Sequence, residues 1–102
     1  MKFIIIYITH KNLKEAKKVA EHLLEKKLIA CVNYFPIESA YWWNGKIENS
    51  KEIVSLVKTR KENWEKVKKE VEKIHPYDVP CIMKIVVEAN KEYYNWIKRE
   101  TK

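Results

Sequence analysis

Few side chains among these 102 residues have the chemistry to hold a metal ion or attack a substrate: three histidines and two cysteines, amid 21 lysines and arginines and 14 carboxylates. His75 is the one best suited to metal. Imidazole nitrogen is a good ligand for Cu(II) and Zn(II), and Pro76 behind it limits its backbone freedom. A histidine that ends a helix more often hydrogen-bonds a carbonyl, and both readings stand at this level. Cys31 and Cys81 lie far apart with no CxxC pair, so neither a structural zinc site nor a disulfide scaffold is expected. A free cysteine more often serves as a small buried hydrophobe.

Nucleophilic catalysis has less support. No Ser-His-Asp or Cys-His pairing carries a recognisable motif, and a backbone cradle for phosphate usually needs glycine. The chain has one glycine, Gly45. It follows Asn44 between β-forming residues, where Asn-Gly suits the two positive φ angles of a type I′ turn. That turn carries Tyr41, Trp42 and Trp43 at a hairpin tip, where exposed rings would cost a monomer solubility and suggest burial against another copy or a partner. No enzyme activity is expected.

The elements that must position these groups follow from periodicity. Phe3–Ile8 is apolar on both alternations, as in a central strand covered on both faces. Asn12 with Glu15 makes an N-terminal cap, and Leu13, Ala16, Ala20, Leu23 and Leu24 recur at helical spacing to about Lys27. A long strand from Leu28 to Trp43 is interrupted near Pro36 by a bulge or lies at an edge; Lys46 to Thr59 is its hairpin partner. Thr59 to Glu62 has capping-box spacing before a second helix with the stripe Trp64, Val67, Val71 and Ile74. The helix must stop at His75, before Pro76. Cys81–Val87 is the last strand, and Asn90 caps a C-terminal helix rich in rings.

The order βαββαβ plus a terminal helix defines an α+β, ferredoxin-like sandwich with an extended β2–β3 hairpin, one domain over residues 1–102. Two helices cover one face of the sheet. The first strand is apolar on both, as is the last except for Lys84, and no spare element is expected for the second face, so self-association is the economical answer.

Composition narrows the partners. The net charge of +7 would favour polyanions if the cations were clustered, but between Arg60 and Lys73 the charges pair along the helix, Glu62 with Lys66 and Glu65 with Lys69. An RNA-binding βαββαβ domain would carry rings and glycines in its third strand; Lys51–Lys58 has neither, so no nucleic acid is expected. Phe3–Ile8 is too short for a signal segment and no run approaches a membrane span, so a cytoplasmic protein is expected.

Three segments together resemble the CutA family: Ala30-Cys31-Val32 after a helix ending in Lys-Leu, the Tyr41–Ile47 hairpin, and His75-Pro76-Tyr77-Asp78-Val79-Pro80. Lys58-Thr59 and the ending Tyr93, Trp96, Ile97 extend the likeness nearly end to end. The resemblance implies a homotrimer similar in architecture to the PII signalling proteins, with sheets facing the trimer centre, no established catalysis, and binding of copper or another divalent cation in some members without an organic cofactor. Some members carry a histidine and a cysteine where this chain has Ile74 and Ile8. His10, two residues beyond Ile8, becomes the replacement candidate, with His75 and the family-typical Cys31.

Glu52 and Lys58 share a strand face with Val54 and Leu56. They read as a solvated or ion-paired edge. In the implied trimer they would instead line a subunit cleft with Trp43 and Tyr77, a pocket for a small anionic ligand.

Overall fold

The computed structural model describes all 102 residues. β1 (Lys2–His10), α1 (Leu13–Glu25), β2 (Cys31–Trp43), β3 (Lys46–Thr59), α2 (Trp64–Ile74), β4 (Ile82–Glu88) and α3 (Lys91–Glu100) follow one another, with a 3-10 turn at Lys61–Asn63 leading into α2. The strands form one antiparallel sheet in the order β2-β3-β1-β4, the ferredoxin-like arrangement expected from the element order.

Alternation along β1 assigns the faces. Ile4, Ile6 and Ile8 point into the core with Val57 of β3, and Val19, Leu23, Val67 and Val71 of α1 and α2 close over them. Lys84 stands opposite Ile6 on this same face. It is accommodated there by its ammonium lying 5.4 Å from the centre of the Trp64 ring. The two helices are tied outside the core by Glu70, which meets His22 at 2.8 Å, Lys26 at 3.4 Å and Lys73 at 3.2 Å. The His22 and Lys73 hydrogen bonds hold its carboxyl down to about 2.

The second face carries Ile5, Tyr7, Leu56, Phe35, Met83 and Ile85, and here the structure corrects one expectation. α3 is a spare element after all. Its Tyr93 ring lies 5.9 Å from that of Phe3, and its hydroxyl accepts from Lys58 Nζ at 3.3 Å, so one end of this face is covered. Arg60 fixes the far end of α3 by donating to the Lys98 and Thr101 carbonyls and to Thr101 Oγ1. Toward β4 the face stays open: Met83 is 49% exposed and Ile85 48%.

Local signals behave unevenly. Asn12 Oδ1 accepts from the Glu15 amide at 2.9 Å, as a cap should. Thr59 does not cap α2; it ends β3 and donates to the Leu28 carbonyl. β2 starts at Cys31 because the chain first closes α1, with Lys27 at φ +57° and the Leu28 amide reaching back to the Leu23 carbonyl. Pro36 sits in an edge strand, opposite Ile53, without breaking the register. Asn44 and Gly45 take φ of +51° and +76°, and Trp43 pairs with Lys46 across that two-residue turn. β1 stops pairing with β3 at Ile53, so residues 37–52 form a two-stranded arm that projects roughly 20 Å beyond the sheet.

Candidate functional site

The polar groups of the molecule converge where that arm leaves the sheet. His10 ends β1 on the core-facing alternation and is fully buried. Its Nε2 lies 2.7 Å from Ser55 Oγ, while its Nδ1 is sealed from solvent with no partner. His75 follows α2, as the proline behind it requires, and its ring stacks on that of His10 with centres 5.3 Å apart. Its hydrogen bonds define its tautomer. Nε2 faces the Thr9 carbonyl at 2.7 Å and must carry the proton; Nδ1 accepts the Tyr77 amide at 3.2 Å. The Tyr77 ring stands at 69° to that of His75, with centres 4.7 Å apart, and its hydroxyl donates to Glu52 Oε2 at 2.7 Å.

The electrostatics favour an uncharged His10 ring. Burial, and then the neighbouring His75, lower His10 to about 4, against a smaller pull from Glu52 in the other direction. Burial, and then the bond to Glu52, push the Tyr77 phenol far above its usual range. Burial raises the Cys81 thiol as well, which keeps it protonated and a poor ligand or nucleophile.

Of the metal residues expected from the sequence, two are brought together and one is not. Cys31 pairs with Lys58 across the hairpin whereas His10 pairs with Ile53, about 17 Å away along β3. His75 has both nitrogens engaged, the carbonyl-bonded arrangement. No group of three or more His, Cys, Asp or Glu side chains is placed to hold a metal ion. The set His75, His10 and Cys31 therefore does not fit a metal within one chain. The physical reason is that β1 alternation turns His10 into the core, where Ser55, the Thr9 carbonyl and the Tyr77 amide already engage three of the four imidazole nitrogens of the pair.

The expected ligand cleft divides in the same way. Glu52 and Tyr77 are joined directly. Trp43 and Lys58 share the open-face alternation with Glu52, but lie about 20 Å from it in opposite directions along the hairpin. Lys58 is turned to Tyr93. Beside Glu52, between the start of α1 and the arm, runs a groove of about 540 Å³ whose lining includes Lys11, Asn12, Glu38 and Lys51. Ser55 and Thr9 are the partners that sequence reasoning missed. The parity of β1, which puts His10 on the side of Ile4, Ile6 and Ile8, was the signal for a buried histidine in need of a polar neighbour.

With this geometry in view, the comparisons with known proteins agree. The model of the CutA1 divalent ion tolerance protein family matches residues 4–100. The divalent-cation tolerance protein CutA of Archaeoglobus fulgidus is 52% identical over 93 residues, covering 90% of this chain and 91% of that protein. That of Pyrococcus horikoshii is 44% identical over 100 residues, covering 97% and 98%. Among solved structures, CutA1 from Pyrococcus horikoshii superposes with a TM-score of 0.94 at 42% identity, covering 98% of this chain and 99% of that one. The Archaeoglobus fulgidus structure, described as the periplasmic divalent cation tolerance protein CutA, has a TM-score of 0.94 at 48% identity with full coverage of both. From residue 4 to residue 100, the chain belongs to the CutA1 divalent ion tolerance family.

Proposed function

We propose that this chain acts without catalysis, as a self-assembling protein of the cation tolerance class in which three copies close their open sheet faces on one another. The supporting observation is the face itself. Phe35, Met83 and Ile85 are all more than a third exposed, and the same alternation continues up the arm through Tyr41 and Trp43. An exposed apolar patch of this kind, with rings recurring on the same face of the arm, is rare on a monomer. That the copies number three is the family expectation set out from the sequence. The two unpaired cysteines suit a reducing compartment, the cytoplasm.

The link to divalent ions comes from the names of the relatives. Copper or another divalent cation would be met between copies, since three nitrogens of the His10 and His75 pair are committed and the fourth, His10 Nδ1, is sealed in the core. Light scattering on the purified protein tests the assembly: a trimer is expected, with Trp43→Ala lowering its thermal stability, and a monomer overturns the reading. Calorimetry with Cu(II) tests the ion. Equal affinity in wild type and His75→Ala is expected, and loss of binding in the variant would restore His75 as a ligand.

A second reading, a small anionic metabolite bound beside the arm, is favoured by the groove with Lys11 and Lys51 in its wall. A panel of nucleotides and organic acids should raise the melting temperature if it is right.

A further inference from the structure

We infer that the groove between the start of α1 and the root of the β2–β3 arm takes an aliphatic amino acid in its zwitterionic form. This rests on the second reading above, a small metabolite bound beside the arm, and narrows it from an anion to a molecule carrying one charge of each sign. The groove lies on the helix side of the arm. Ile53 pairs with His10 on the core-facing alternation, Lys51 follows two residues along β3, and Pro36 and Glu38 stand opposite them on β2. The sheet face proposed for assembly is the other one, so closing that face leaves the groove accessible.

The charges around this groove are unpaired. Glu38 and Lys51 are directly opposite each other across the hairpin, yet no ion pair joins them, and Lys11 has none either. The ion pairs of the molecule lie on the helices and between Lys2 and Glu88. Glu52, the remaining charged side chain of the lining, is committed to the Tyr77 hydroxyl. Two ammonium groups and one carboxylate therefore border an open space of about 540 Å³.

A polyanion fits this border poorly, because the Glu38 and Glu52 carboxylates would face its charge across the same space. A zwitterion matches it. Its carboxylate accepts from Lys11 and Lys51, and its ammonium donates to Glu38, each through a charge-assisted hydrogen bond. An exposed cross-strand pair such as Glu38 and Lys51 is weak by itself, so a ligand that bridges it displaces little. Cross-strand neighbours have Cβ atoms about 5 Å apart, whereas an extended peptide of three residues already separates its terminal charges by about 10 Å. The spacing thus selects a free amino acid over a peptide. The apolar wall supplies the side-chain preference. Leu13 opens α1 with 42% of its surface exposed, and Pro36 and Ile53 line the groove with it. An aliphatic side chain laid against these three removes from water a surface that the protein alone leaves wet.

Amide NMR of the assembled protein tests this with leucine and its two halves: isocaproate, which lacks the ammonium, and isopentylamine, which lacks the carboxylate. Leucine is expected to shift the amides of Leu13, Glu38, Lys51 and Ile53 saturably, and each half to bind about tenfold more weakly. Glu38→Gln should bring leucine down to the affinity of isocaproate and leave isocaproate itself unchanged. Glu48→Gln, the same change of charge outside the groove, should alter neither, and an equal weakening of leucine in both variants overturns the site. Isocaproate binding as tightly as leucine overturns the zwitterion and leaves the anion reading standing. So does a nucleotide or organic acid that shifts these amides when leucine does not. Amides that move with none of these molecules overturn both readings.

Discussion

The two ends of the β2–β3 hairpin share one continuous register yet live under different rules. Between Ile53 and Thr59, β3 has β1 on its other side and helices over one face, and Val54, Ser55, Val57 and Thr59 are buried. Between Lys46 and Glu52 the same strand has a neighbour on one side only, and Trp42 opposite Ile47 is 72% exposed. Neither β propensity nor turn chemistry differs enough to explain this. A third strand does, because an isolated two-stranded hairpin is marginal in water and gains its stability from whatever it lies against. The body is self-sufficient, whereas the arm is built to borrow.

The strongest way to break that contrast is in the body. Ile6 is fully buried in the centre of the core, and Ile6→Ala should lower the unfolding free energy by about 3 to 4 kcal/mol in chemical denaturation. A loss below about 1 kcal/mol would mean that the body leans on its neighbours as the arm does. Gly45→Ala probes the arm. Nothing stands within 4 Å of the added methyl, so its cost of about 1 kcal/mol is the backbone strain at φ +76° alone. Amide exchange should quicken in residues 37–52 and stay unchanged in β1, and a uniform acceleration would show the two regions to be one cooperative unit. The smallest effect belongs to Lys27, a side chain held at φ +57° where glycine is at ease. Lys27→Gly should raise the melting temperature of the body, by a gain of up to about 1 kcal/mol, without touching exchange in the arm.

Much of the fold was legible where its signals are local. Asn12 caps as its type and spacing suggest, and Asn44-Gly45 turns as the dipeptide demands. Other assignments failed where distant packing decides. Leu13 and Leu24 belong to the helical stripe but are exposed, while Val19 lies in the core. Thr59 has capping-box spacing, yet the Leu28 carbonyl on another element takes its hydroxyl. The candidate site was legible in part for the same reason. Strand parity foretold that Glu52 and Lys58 share a face, but not that the distance along β3 keeps them apart, with Trp43 as far off on the other side of Glu52. The bond between Tyr77 and Glu52, and the stacking of His75 on His10, join segments far apart in the chain, and no local spacing records them.

The hairpin also sets a timetable. It is the sheet's only local pairing, closed by a two-residue turn, so it can zip within microseconds of its synthesis or dilution from denaturant. β1 must wait for β3 and then for β4, tens of residues further on, and such non-local pairings are the slow ones. The rings at the tip are therefore presented early, while the face they would rest on is still unmade. The interval between those two events is when a nascent chain is most open to the wrong neighbour.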